Sequence, residues 1–169
     1  MNALIAVASK HGSTREIAQA IANELEQRGI DTDFADLSEV TDLAHHDAVI
    51  LGSAVYMGRL MPEMRRFLDD HTTALLRLPV WLFGSGPIGD PPRPSEIPAE
   101  LRAVADELGA HGCRWFAGRL DTAELGLKER LIVRAVKAAP GDFRPWEEIA
   151  LWADEIAAAL TTHAGSVIG

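Results

Sequence analysis

Between the first apolar run and the first stripe of helical period lies Ser9-Lys10-His11-Gly12-Ser13-Thr14, with one glycine, three hydroxyls and no acid. A helix N-terminus there would expose unpaired N–H groups and about half a positive charge, which suits a phosphate. Equally, Ser13 or Thr14 would serve as an ordinary helix cap. Two better-known phosphate signatures do not fit. GxxxxGK[ST] does not occur, and Gly84-Ser85-Gly86-Pro87-Ile88-Gly89, although it matches G-x-G-x-x-G, runs into Asp90-Pro91-Pro92-Arg93-Pro94. Such a run cannot open the helix that a dinucleotide fingerprint needs. A second stretch, Gly52 to Met61, reads as a loop carrying Tyr56, the single tyrosine of the chain, beside Met57 and Met61. A third, Gly84 to Pro94, is rich in Gly and Pro and therefore preshaped, with backbone amides that can meet a heterocycle edge-on. Together the three describe a flat heterocycle bearing a phosphate.

Other reactive side chains are read more plainly. Cys113 stands alone, which excludes an internal disulfide, a CxxC pair and a cysteine-rich zinc site. It reads as a small hydrophobe at the start of a buried strand. His45-His46-Asp47 reads as a loop, and no metal is expected. Arg59, Arg65 and Arg66 flank the expected mouth and read as solvated charge or as contacts for an acidic substrate. No Ser/His/Asp order or paired-carboxylate arrangement stands out.

The elements that must position these loops alternate in period. Leu4 to Ala8, Ile30 to Asp36, Asp47 to Gly52, Pro79 to Gly84 and Cys113 to Ala117 have strand length, and the first and fourth are apolar on both faces. Between them, Ile17, Ala18, Ile21, Ala22 and Leu25 form a helical stripe that stops at Gly29. Pro62 opens a helix bearing Met64, Phe67 and Leu68, and Pro98 one bearing Leu101, Val104, Ala105 and Leu108. A last helix runs from about Pro145 to Leu160. This β/α alternation predicts a doubly wound five-stranded parallel sheet, order 2-1-3-4-5, with helices on both faces. Ligands of such sheets bind outside the carboxyl ends of the strands, where the three loops gather.

Composition bounds the rest. The 169 residues carry a net charge of −9 and are 47% hydrophobic, ordinary for one globular domain. Acidity makes duplex nucleic acid an unsuitable ligand. No run approaches the roughly 20 apolar residues of a membrane span, and no signal peptide is read, so a cytoplasmic domain is expected. Residues 111–137 nevertheless carry a net +3, centred on Leu125 to Lys137. A basic amphipathic helix there would either cover the sheet or dock an anionic membrane surface or partner.

The residues quoted resemble the flavodoxin-like FMN-binding family over nearly the whole chain. Ser9 to Thr14 is similar to its phosphate loop, T/S-x-T-G-x-T, with His11 where a hydroxyl is usual. The likeness is closest to the menaquinone-dependent protoporphyrinogen dehydrogenase branch. It rests on Gly12-Ser13-Thr14-Arg15-Glu16-Ile17-Ala18, on Tyr56 to Gly58 with Phe67 and His71, and on Trp146-Glu147 with Ala153 to Ala157. The segment at about 121–144 resembles the insertion of that branch and of long-chain flavodoxins. The resemblance implies FMN, with its phosphate on Ser9, Lys10, His11, Gly12, Ser13 and Thr14. It implies ring contacts from Ser53, Ala54, Val55 and Tyr56, and from Ser85, Gly86 and Pro87. It also implies an FMN oxidoreductase acting on a small-molecule substrate or quinone. The alternatives are an electron carrier serving a redox protein partner and a cofactor-free binding module on the same fold.

Overall fold

The computed structural model describes residues 1–86, 95–121, 123, 125–135 and 140–166. The first apolar run forms β1 (Asn2–Ala8), and the stripe after it forms α1 (Ser13–Gln27). There follow β2 (Asp31–Asp36), β3 (Ala48–Tyr56), the two-residue β4 (Arg59–Leu60) and α2 (Pro62–Leu75). Then come β5 (Val80–Ser85), α3 (Ala99–Leu108), β6 (Gly112–Phe116) and the short β7 (Arg119–Leu120). The chain ends in α4 (Leu127–Ala135), β8 (Gly141–Asp142) and α5 (Trp146–Ser166).

The long strands pair in parallel in the order β2-β1-β3-β5-β6, with β4 folded back on β3. Counting only the long strands, that is the expected 2-1-3-4-5. The central strands are apolar on both faces because helices cover both. On one face Ile17, Ile21 and Leu25 of α1 meet Ile149, Trp152 and Ile156 of α5 over Ile5, Ile50 and Phe83. On the other, Met64 and Phe67 of α2 and Leu101 of α3 pack on Leu4, Leu51 and Leu82. Full burial of each such side chain contributes about 1.5–3 kcal/mol.

Three local readings change. Ser53 to Tyr56 are not loop residues: β3 runs on to Tyr56 and turns back at once, Tyr56 pairing with Arg59. Met57 (φ 49°) and Gly58 (φ 76°) make that turn, so left-handed backbone at the tip replaced the expected long loop. Neither Ser13 nor Thr14 caps α1. Gly12 is the N-cap, in the left-handed region at φ 77°, and no side chain caps the amides. Arg59 and Arg65 do not stand free at the mouth, because both pair with Glu100 of α3, at 3.2 and 3.0 Å.

Candidate cofactor site

Past the carboxyl ends of β1, β3 and β5 lies a cavity of about 800 Å³, within the range of small-molecule and cofactor sites. Its floor is Ser9, Lys10, His11, Ser13 and Thr14, leading into α1. The first helical hydrogen bond is Glu16 N–H to Gly12 O at 2.9 Å, so the amides before it have no intrahelical acceptor. Gly12 does not itself line the cavity, and a Cβ there would touch nothing. Its requirement is conformational, since φ 77° turns the chain into the helix.

The hydroxyls of this loop also tie it to its neighbours. Thr14 Oγ1 and Ser85 Oγ lie 2.9 Å apart, both buried, which fixes the first turn of α1 to the end of β5. Ser13 Oγ accepts the Arg119 N–H at 3.1 Å and so locates the β7–β8 hairpin. Arg144, 8% exposed, completes that attachment. Its guanidinium donates to Glu16 Oε2 at 2.5 Å and to Asp142 at 2.7 and 2.8 Å, and stacks 4.4 Å from the Trp146 ring.

Ala54, Val55, Tyr56, Met57 and Met61 form one wall, and Ser85 and Gly86, beside them at the end of β5, continue it. Ser53 lies behind that wall. It is fully buried, its hydroxyl donating to Ala54 O at 2.8 Å and accepting the Met61 N–H at 3.1 Å. Gly86 approaches β3 so closely that a Cβ would come 2.7 Å from Val55 O. Pro87 and the rest of the Pro-rich stretch to Pro94 lie outside the described residues. Among the described lining residues Tyr56 is the one Phe, Tyr or Trp. Burial, and next the charge of Glu129, push its phenol up to about 12.

Several lining residues escaped the sequence reading: Gly118, Arg119 and Leu120 from the β7 region, and Leu125, Glu129 and Val133 from α4 and its approach. The four-residue spacing of Leu125, Glu129 and Val133 puts them on one helical face, a signal present in the sequence. Leu127 and Leu131 face away and are 82% and 67% exposed, so α4 roofs the cavity rather than covering the sheet. Glu129 Oε1 accepts from Lys10 Nζ at 2.5 Å and lies 3.2 Å from His11 Nε2. The bond from Lys10 foremost, then those from the Gly126 N–H and His11, hold its carboxyl down to about 2.

The flavodoxin domain family matches residues 4–144, and the chain belongs to it. The protoporphyrinogen IX dehydrogenase [quinone] of Escherichia coli K12 is 24% identical over 174 residues, 93% of this chain and 95% of its own length. Among solved structures, a flavodoxin from the domain Archaea superposes with a TM-score of 0.67 at 18% identity, covering 95% of this chain and 99% of that one. The rubredoxin:oxygen oxidoreductase of Desulfovibrio gigas also gives 0.67, at 16% identity, over 95% of this chain and 36% of that one. FMN is the cofactor that family membership brings. The cavity fits it: an uncapped helix N-terminus beside Lys10 and His11 suits a phosphate, and largely apolar walls suit a flat ring.

Proposed function

We propose that the protein is an FMN oxidoreductase of the quinone-linked, protoporphyrinogen-dehydrogenase-like type, its 121–144 segment an insertion into a single domain. In this reading the amides and hydroxyls of Ser9 to Thr14 bind the phosphate. Ala54 to Tyr56 and Ser85 and Gly86 flank the ring, with Ser53 and Gly12 shaping the backbone behind them. The cofactor supplies the redox chemistry when bound. The chain orients it and leaves an apolar approach for a second molecule.

One observation carries the enzyme reading: the roof of Leu125, Glu129 and Val133 over a largely apolar cavity of about 800 Å³. With Tyr56 the single Phe, Tyr or Trp among the described lining residues, a ring there is not sandwiched between such aromatics from both loops, which leaves one face for a flat apolar reductant or a quinone. The relative from E. coli supports that substrate class. The outward pair Leu127 and Leu131, with exposed Lys128, Arg130 and Arg134, supports a peripheral contact with an anionic bilayer, where quinones reside. Among the described residues no helix is long and apolar enough to cross a membrane. The second reading, an electron carrier, is favoured by the flavodoxin neighbours.

Anaerobic steady-state assays separate the two. Turnover of a reduced tetrapyrrole or quinol with a soluble quinone as acceptor is expected. Exchange with a small redox protein in the absence of any quinone turnover would instead establish the carrier.

A further inference from the structure

Lys10 and His11 contribute cationic and hydrogen-bonding groups to the loop that receives an anion, yet both already hold one. Glu129 Oε1 lies 2.5 Å from Lys10 Nζ and 3.2 Å from His11 Nε2. Its second oxygen accepts the Gly126 N–H at 2.9 Å, which keeps the carboxylate at the start of α4. Glu129 and His11 are 23% and 22% exposed and Lys10 52%, so solvent screens the His11 contact less than the Lys10 one. α4 rests on the cavity through Leu125, Glu129 and Val133 and turns Leu127 and Leu131 to solvent, so these polar ties are a principal attachment to the loop.

We propose that Glu129 is an internal competitor for the anion site: while α4 is shut its carboxylate occupies Lys10 and His11, and an arriving phosphate displaces it and releases α4. The proposal rests on the FMN reading only for the identity of the anion. A carboxylate and a phosphate dianion drawn to the same two donors repel each other in a partly buried site. The phosphate has the advantage of higher charge, more acceptor oxygens and the uncapped amides of α1, which Glu129 does not use. Exchange of one anion for the other is therefore favourable, and the same exchange unlocks the roof over the cavity.

Glu129→Gln keeps the side-chain shape and removes the competing charge. With the full-length chain stripped of cofactor, stopped-flow fluorescence should show FMN associating roughly fivefold or more faster than with wild type, and inorganic phosphate binding tighter by a similar factor. Amide hydrogen exchange in Leu127–Ala135 should rise in wild type when inorganic phosphate is added. It should already be high in Glu129→Gln and in Lys10→Met. Equal or slower FMN association together with weaker phosphate binding in Glu129→Gln would overturn the proposal, because the carboxylate would then be helping to hold the group. Unchanged α4 exchange in both variants would overturn it as well. Failure of the FMN reading itself is distinguishable: wild type would then bind riboflavin as tightly as FMN, while inorganic phosphate still reports on Glu129.

Discussion

At φ 77° Gly12 holds a backbone conformation that an L side chain adopts only under strain, although a Cβ would strike nothing. Gly12→Val should therefore act through the loop's shape, at a strain of about 1–3 kcal/mol. Fluorescence titration should show FMN affinity falling by roughly tenfold or more while riboflavin affinity barely moves. Tyr56 offers a second measurement, since it is the single tyrosine of the chain. With its phenol pushed up to about 12, ultraviolet titration should show no phenolate through the neutral and mildly alkaline range, and Glu129→Gln should bring ionisation to lower pH. Tyr56→Ala should weaken FMN by roughly 1–3 kcal/mol, from the lost aromatic contact. Ser9 to Thr14 were legible as a strand-to-helix loop suited to a phosphate or a helix cap, because a glycine and hydroxyls in that place serve either use. That Thr14 bonds Ser85 and Ser13 bonds the Arg119 amide was not legible, because those partners lie 71 and 106 residues away.

The β7–β8 hairpin is the element from which α4 hangs, and Arg144 fastens it to the first turn of α1. Replacing Arg144 with Met removes the cation that bridges Asp142 and Glu16 and leaves Arg119, 3.3 Å from Glu16, as their nearby cation, with an expected cost of about 1–3 kcal/mol. That lies below a fully buried pair because both carboxylates are partly exposed. Thermal unfolding should show the loss. The hydrogen bond from Arg144 is the foremost cause holding Asp142 below the usual carboxylate range. A depressed folded value contributes stability above the ordinary value and loses it as pH falls, so Arg144→Met should flatten the acid side of the stability curve. Glu129 obeys the same sign. Its contact with Lys10 and His11 is intact above about 4.5 and fades as pH falls toward about 2, where α4 should loosen first in hydrogen exchange.

Across the whole molecule, charge is segregated: residues 111–137 carry a net +3 in a chain of −9, and in α4 those charges flank two outward leucines. Reversing Lys128, Arg130 and Arg134 to Glu should leave FMN binding and melting temperature nearly unchanged. Co-sedimentation with anionic vesicles should fall, and in wild type it should fall with added salt, since surface attraction is screened within about 8 Å at physiological ionic strength. Vesicle binding indifferent to both changes would leave α4 as a roof alone. Lys137 and Val136, part of the same basic stretch, lie outside the described residues.

The sequence by itself determined the sheet order, the helix faces and the Gly/Ser/Thr loop that leads from β1 into α1 at the cavity floor. Strand and helix periods are local properties, and a right-handed β/α alternation admits few topologies. Tertiary structure decided what stands across the cavity from that loop. The Met57–Gly58 turn folds β4 back on β3 beside Tyr56, and Arg144 sets the hairpin on α1. Glu129 then reaches Lys10 across 119 residues of chain. Those contacts depend on where separate segments meet in space, and the charge or period of each segment alone carries no record of that meeting.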